Sequence, residues 1–437
     1  MTVDAAEAWP APVAPSGVSG TVSVPGSKSL TNRALVLAAL ADAPSTLHRP
    51  LRARDTLLMA AGLRALGVQV HTGPDAWHVD PKPAVPGGAR VRGGTDVQTG
   101  LAGTVMRFLP LLAALADGPV SFDGDPRARE RPMVATIASL RSLGVGVRDG
   151  GRGTLPFTVE PTGPLEATTV DLDSSASSQF LSALLLIAPA CPAGLTIRHI
   201  GAPLPSRDHV AMTVRMLRDA GVEVDDSTPD VWQVAPGPVH LGDVTIEPDL
   251  STAAPFLAAP LLAGGSVTVA GWPGTTTQPG AALPELLHRM GADVHRDADG
   301  VTVRGNGAIR ALDVDLADQP ELVPVIAALA SRADGQSRIT GVAHVRGQES
   351  DRLAALATEI NALGGDITEL ADGLVITPRA LHCQAGRPFA TYADHRIAHA
   401  GALLGLVVPG LRIADIATTG KTFPDFAETW NSLPVPG

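Results

Sequence analysis

Lys28, Ser29 and Arg33 open one apolar run, PGSKSLTNRALVLAAL, and Gly103, Thr104 and Arg107 open a second, GLAGTVMRFLPLLAAL. Ser177, Ser178 and Gln179 open a third, DSSASSQFLSALLLIA, while Glu321 and Arg396 stand at the starts of ADQPELVPVIAALA and YADHRIAHAGALLGLV. A polar loop entering an apolar helix exposes unbonded backbone N–H groups and the positive end of the helix dipole, which together attract anions. More cations sit in the loops GDPRARERP (Arg127, Arg129, Arg131), VRGQESDR (Arg346, Arg352) and TTGKTFPDF (Lys421), in a chain whose net charge is -11. That contrast points to a local positive well for small, multiply charged anions. Each charge-assisted bond there contributes about 1.5–3 kcal/mol. PGSKS is not a nucleotide phosphate loop, because Ser27 separates Gly26 from Lys28, so ATP hydrolysis is not expected.

The elements that must hold these residues repeat. A polar loop, an apolar helical run, a Gly/Pro turn and a short strand recur six times, with Ser29, Thr104, Ser177, Ser251, Pro320 and His395 as markers spaced 69 to 75 residues apart. Between them a second motif occurs five times: LRALGVQV, LRSLGVGV, MLRDAGVEV, LHRMGADV and INALGGDI. It reads as a helix closed by a left-handed glycine and followed by a strand. Each unit thus holds two helices and several strands. A length of 437 residues favours two groups of three units over one closed ring or a long solenoid. The periodicity is weakest near Val244–Pro248, which marks a crossover.

Composition removes several classes of function. With 45% hydrophobic and 18% charged residues the chain can bury a large core. The acidic balance, with only 5 Trp, 1 Tyr and 8 Phe, argues against a nucleic-acid partner. Cys191 and Cys383 make no disulfide framework and lack metal-type spacing, which fits a reducing cytoplasm. The apolar stretches are too short to span a membrane. The opening MTVDAAEAWPAPVAPSG, with Asp4 and Glu7, reads as a loose extension tacked down by Trp9, not as a signal.

Seven blocks in order, PGSKSLTNRALVLAAL, LAGTVMR, GDPRARERP, SSQFLSALLL, RGQESDR, DHRIAHA and GKTFPDF, resemble the 3-phosphoshikimate 1-carboxyvinyltransferase (5-enolpyruvylshikimate-3-phosphate synthase) family over nearly the whole chain. The resemblance implies an α/β fold, a two-domain inverse α/β barrel with three βαβαββ-type units per domain. The expected domains are residues 1–26 with 248–437, carrying the phosphoenolpyruvate-side cations and the general base, and 27–247, binding shikimate 3-phosphate, with the active site in the cleft between them. The N-terminal strand is expected to join the C-terminal half. The implied reaction moves the enolpyruvyl group of phosphoenolpyruvate to the 5-hydroxyl of shikimate 3-phosphate, releasing phosphate on the way to chorismate and the aromatic amino acids. No cofactor or metal, a monomeric state and inhibition by glyphosate at Gly103 and Thr104 are implied as well.

Residue by residue, the resemblance makes Lys28 a group touching both substrates and an acid/base candidate. Ser29, Arg33, Ser177, Ser178 and Ser206 become shikimate-phosphate ligands, and Gln179 reaches both substrates. Gly103 leaves room beside phosphoenolpyruvate, which Arg127, Arg352, Arg396 and Lys421 bind. Glu321 is the general base, and Glu349 a proton shuttle with Lys28. Ser177 and Ser206 can also be read as plain helix caps. The chain departs from the commonest family pattern in having Glu321 for Asp, His344 for Asn, Gln348 for Lys, His209 for Tyr and Phe108 for Pro. His344 and Gln348 fall near the shikimate hydroxyls. Two rivals are the sister transferase acting on UDP-N-acetylglucosamine, whose usual cysteine is missing from GDPRARERP, and a non-catalytic anion sensor.

Overall fold

The computed structural model describes residues 8–81 and 89–435, so the reading of Asp4 and Glu7 lies outside the described residues. The chain divides into two compact units, Gly26–Glu247 and Met1–Pro25 with Pro248–Gly437.

In the unit Gly26–Glu247 the helices are α1 (Lys28–Leu40), α2 (Arg54–Ala65), α3 (Gly103–Ala113), α4 (Val134–Ser142), α5 (Ser178–Ile187) and α6 (Arg207–Asp219). Helices α1, α3 and α5 pack on one another. Their sequences are apolar all round, and every residue of α1 from Leu30 to Leu40 is buried. Helix α6 is amphipathic instead, burying Val210, Val214 and Leu217 while Arg215 and Arg218 face solvent. Three four-stranded sheets complete the unit. In one of them Thr95–Gln98 runs parallel to Val120–Asp123 across α3, and an antiparallel hairpin of Gly146–Arg148 and Phe157–Glu160 follows α4.

The other unit repeats the plan with α7 (Leu250–Ala263), α8 (Leu283–Arg289), α9 (Val323–Ala330), α10 (Arg352–Ala362), α11 (His395–Gly405) and α12 (Phe426–Asn431). Here α7, α9 and α11 pack together as the inner helices. The N-terminal strand Val18–Val22 lies parallel to Gly265–Ala270, as the resemblance implied. Reciprocally, Asp243–Thr245 lies parallel to Ser45–His48, closing the first sheet of Gly26–Glu247. The two crossing segments are pinned within their own units, Ser27 N–H donating to Glu247 O and Asp249 N–H to Pro25 O, each at 2.8 Å.

The repeated α/β architecture is therefore present, with two refinements. Among the described residues hydrogen bonding makes separate sheets, five of four strands and one of two. The sixth repeat is also abbreviated: among the described residues its sheet is Trp9–Pro10 against Arg412–Ile413, extended by a bridge from Phe389. It lacks the helix-glycine-strand motif that the other five share. In place of the missing hairpin, α12 packs aromatics against α7, with Phe256 lying 5.3–5.7 Å from the rings of Phe423, Phe426 and Trp430.

The glycines of the five second motifs all turn left-handed: Gly67, Gly144, Gly221, Gly291 and Gly364 have φ between 81° and 106°. A side chain there costs about 1–2 kcal/mol from backbone strain alone. At Gly144 nothing lies within 4 Å of an added β-carbon, whereas at Gly364 that carbon would meet His382 at 2.7 Å. Gly364→Ala is therefore expected to destabilise more than Gly144→Ala, which meets only the backbone strain of about 1–2 kcal/mol. Urea unfolding of the two variants checks the order.

Candidate functional site

The polar cluster of Gly26–Glu247 is built on the first turns of α1, α3, α5 and α6. Ser27 caps α1, its Oγ accepting from Leu30 N–H, and Lys28 follows, with Nζ 3.7 Å from the buried Asp55 carboxylate. One turn on, Arg33 is 1% exposed. Its guanidinium donates to Thr213 Oγ1 (2.7 Å), Ser182 Oγ (3.1 Å), His209 O (3.1 Å) and Ser29 O (3.2 Å). All four acceptors are neutral. Burial pushes the Arg33 pKa down to about 9, so it stays charged at neutral pH. The Phe108 ring lies 5.4 Å from the Arg33 guanidinium carbon and gives the charge a π face.

Gly103 begins α3, and Asn32 Nδ2 donates to Thr104 Oγ1 at 2.6 Å, tying α1 to α3. A β-carbon at Gly103 would lie 3.0 Å from Arg107 Nη1 and 3.3 Å from both Arg131 Nη1 and Gln179 Oε1. Ser177 Oγ caps α5 by accepting from Gln179 N–H at 3.3 Å, and the buried Ser178 takes the first helical position. Ser206 precedes α6 in a left-handed conformation (φ 53°), with no side-chain cap bond. Of the two plain-cap readings, the one for Ser177 describes what its hydroxyl does, and the one for Ser206 does not. Arg127 stands apart, 61% exposed and paired with Glu130 at 3.1 Å.

The cluster of the other unit is held by carboxylates. Asp394 caps α11 and is fully buried. Its oxygens accept from Arg396 N–H (2.9 Å), Ser350 Oγ (3.1 Å), Arg352 Nε (2.8 Å) and Arg352 Nη2 (3.3 Å). Burial lowers the Arg352 pKa, but Asp394 and then Glu349 outweigh it, leaving Arg352 above the ordinary arginine value. Burial is the largest influence on the Asp394 carboxyl and raises it, but the charge and hydrogen bond of Arg352, with the charge of His395, together leave it below its usual range. Glu349 bridges Lys421 Nζ (2.5 Å) and His395 Nδ1 (3.0 Å).

Glu321, in the turn Pro320–Leu322 before α9, accepts at its backbone oxygen from Arg396 Nη1 at 3.3 Å. Burial and then Arg352 lower the Arg396 pKa, while Glu321 opposes them. Burial likewise keeps His344 below the usual histidine value against the pull of Glu321, so its ring is neutral at pH 7. Gln348 closes the turn Ala343–Gly347 by donating its N–H to Val345 O.

Glu321, His344, Glu349, Arg352, Arg396 and Lys421 thus fall into one interacting set. Asp394 and His395 belong to it although sequence reasoning took only Arg396 from DHR; an aspartate immediately before an apolar helix was the available signal. A further omission is Glu359 of α10, buried and accepting from Arg387 Nη2, Ala390 N–H and Tyr392 Oη. It anchors the segment in which Tyr392 and Ala393 turn left-handed (φ 56° and 55°) just before Asp394. Glu349, Asp394 and His395 offer ligand atoms within 4.8 Å of one another, as a metal would require. Lys421 and Arg352 already supply positive charge to those carboxylates.

Cations and hydroxyls at helix starts, with buried carboxylates beside them, define an α/β enzyme that gathers small oxyanions and moves protons near them. The family model for EPSP synthase (3-phosphoshikimate 1-carboxyvinyltransferase) matches residues 13–430. The chain belongs to that family. It is 52% identical over 435 residues to a 3-phosphoshikimate 1-carboxyvinyltransferase of Kocuria rhizophila, a match covering 97% of this chain and 96% of the relative. An EPSP synthase structure from Acinetobacter baumannii superposes with a TM-score of 0.78 at 25% identity, covering 96% of this chain and 97% of that one. The enolpyruvyl transferase NikO from Streptomyces tendae shares the fold, with a TM-score of 0.72 at 21% identity and 96% coverage of both chains.

Asp394→Asn leaves Arg352 buried without its counter-charge and is expected to cost about 3–5 kcal/mol in urea unfolding. The Asp394 pKa is lower folded than unfolded. Its contribution is therefore complete above the unfolded value of 3.8 and is lost as pH falls through the folded one. Acid unfolding of the asparagine variant should lack that part of the pH dependence.

Proposed function

We propose that the chain transfers the enolpyruvyl group of phosphoenolpyruvate to the 5-hydroxyl of shikimate 3-phosphate, releasing phosphate. The observation that carries the reading is the partly buried Glu349 carboxylate bound by both Lys421 and His395, in a chain whose family match spans residues 13–430. In its protonated form this carboxyl can hand a proton to a carbon, and the carboxylate that results, held by Lys421 and His395, can take it back. In the reaction the 5-hydroxyl oxygen bonds to the central carbon of phosphoenolpyruvate while the methylene carbon takes a proton. The tetrahedral adduct then expels phosphate as a proton leaves the new methyl group, restoring the double bond. Glu321 removes the hydroxyl proton, and Glu349 with Lys28 serves the methylene carbon.

Ser29, Arg33, Ser177, Ser178 and Ser206 bind shikimate 3-phosphate, with Gln179 reaching both substrates and His344 and Gln348 facing the shikimate hydroxyls. Gln348 brings no charge where family members often have lysine, so more of the charge balance falls to Arg33, buried among neutral acceptors. Arg127, Arg352, Arg396 and Lys421 bind phosphoenolpyruvate, with Arg127 exchanging Glu130 for a substrate anion. The planar fork of arginine suits carboxylate and phosphate. The enzyme works as a monomer in the cytoplasm and needs no metal or organic cofactor.

The UDP-sugar reading is weaker: no cysteine lies in GDPRARERP, and the Cys191 thiol is buried and pushed up to about 11. A phosphate-release assay with phosphoenolpyruvate decides. Release is expected with shikimate 3-phosphate and not with UDP-N-acetylglucosamine; silence with shikimate 3-phosphate overturns the reading. Lys28→Ala and Glu321→Ala should each cut turnover by about 100-fold or more, in the range for a lost acid or base. Ser206→Ala should lose far less, and equal losses in all three would contradict the roles given. Glyphosate should inhibit in the same assay, and a flat dose curve would remove Gly103 and Thr104 from the inhibitor's contacts.

A further inference from the structure

We propose that Glu359 and Tyr392 are positioning residues for the transfer: they hold the turn Thr391–Asp394 in the left-handed form that presents Arg396 to phosphoenolpyruvate. The inference deepens the function proposed above and rests on it. It begins with an outlier in the backbone. Asp394 N–H donates to Thr391 O at 2.9 Å, closing a four-residue turn whose central residues, Tyr392 and Ala393, have φ of 56° and 55°. Turns with both central residues left-handed are ordinarily built from glycine, asparagine and aspartate. Here a tyrosine and an alanine occupy those positions, so the turn is strained and must be held from outside. It is not free to relax, because Asp394 caps α11 and accepts from Ser350 Oγ, Arg352 Nε and Arg396 N–H.

Helix α10 grips the turn at both ends. Arg352 opens this helix and reaches Asp394, and Glu359 stands two turns further along the same face. Glu359 is 1% exposed, and its carboxylate accepts from Tyr392 Oη at 2.8 Å, Ala390 N–H at 3.1 Å and Arg387 Nη2 at 3.2 Å. The Tyr392 ring is 45% exposed, so the hydroxyl bond, and not packing, fixes it. Burial and then Glu359 push the Tyr392 pKa up to about 12, which keeps the phenol protonated and donating at neutral pH. Upstream, Phe389 N–H donates to Arg412 O at 2.8 Å and Phe389 O accepts from Ala414 N–H at 2.9 Å. The stretch from Ala390 to Ala393 thus runs between a sheet edge and a helix cap, with Glu359 as its side support. Just beyond it, Arg396 is tied by its N–H to Asp394 and by Nη1 to Glu321 O at 3.3 Å, so a displaced turn carries the guanidinium with it.

The test uses the full chain with Tyr392→Phe, Glu359→Gln and Ala393→Gly, and with each of the first two combined with the third. Steady-state phosphate release gives both KM values, and calorimetric titration gives phosphoenolpyruvate binding without turnover. Tyr392→Phe should raise the KM for phosphoenolpyruvate by about three-fold or more, and Glu359→Gln by about ten-fold or more, as one and then several bonds to the turn are weakened. The KM for shikimate 3-phosphate should stay almost unchanged in both. Ala393→Gly alone should leave both values as they are, because glycine adopts the left-handed form without strain. Added to Tyr392→Phe, it should recover most of the lost affinity, which it could not do if Glu359 and Tyr392 merely supported the packing of α10. Tyr392→Phe, at an exposed ring, decides alone if Glu359→Gln does not fold. An unchanged phosphoenolpyruvate KM in Tyr392→Phe, equal rises in both KM values, or no recovery with Ala393→Gly overturns the inference. A wild-type chain that releases no phosphate sinks the functional reading; phosphoenolpyruvate binding lost in Tyr392→Phe and restored by Ala393→Gly would still uphold this one.

Discussion

A helix buried on every side can meet water and ligands only at its ends, and this constraint organises the rest of the molecule. Helices α1, α3 and α5 in one unit, and α7, α9 and α11 in the other, have no polar face to spare. Their polar residues gather in the first two turns and the loop before them, where unbonded N–H groups need acceptors and Arg33 and Arg107 sit within reach of the entry. Lys28, Gly103, Ser177, Glu321 and Arg396 all stand at such entries. The sheets cover the sides of these helices, and the outer helices carry the ordinary solvent-facing charges. Chemistry is therefore a by-product of where an all-apolar helix can tolerate polarity.

The two clusters balance their buried charge in opposite ways. Arg352 is neutralised by Asp394, and Lys421 by Glu349, so these cations are held in place by carboxylates before any substrate arrives. Arg33 is surrounded by hydroxyls and carbonyls instead, and Arg107 by an aromatic ring, a carbonyl and another arginine. Hydroxyls and carbonyls solvate a guanidinium without cancelling its charge. The unit Gly26–Glu247 consequently stores unneutralised positive charge, which favours a strongly anionic ligand, while the other unit offers rigid, preset donors.

Much of this was legible in the chain because both recurring motifs encode backbone requirements. The 69 to 75 residue spacing follows from one supersecondary unit being copied. The glycines after LRAL, LRSL, LHRM and their like announce left-handed caps that any side chain would strain. The motif that occurred five times instead of six already carried the abbreviation of the last repeat. Side-chain partnerships were less legible. Nothing in GDPRARERP distinguishes the exposed Arg127 from Arg131, since the difference arises from how a short turn at Ala128–Glu130 aims each residue. The roles of Asp394 and Glu359 are not legible in the sequence, because they hold other residues and exist only once sheets and helices bring distant segments together.

The pairing of Val18–Val22 with Gly265–Ala270 sets an order on biosynthesis. As the chain leaves the ribosome, that first strand has no partner until the whole of Gly26–Glu247 and the helix after it have emerged. The intervening unit, whose own strands all pair internally, is free to fold first as a co-translational block. Until then the early strand is an unprotected edge, short and carrying Ser19, Gly20 and Thr21 where a longer apolar stretch would invite aggregation.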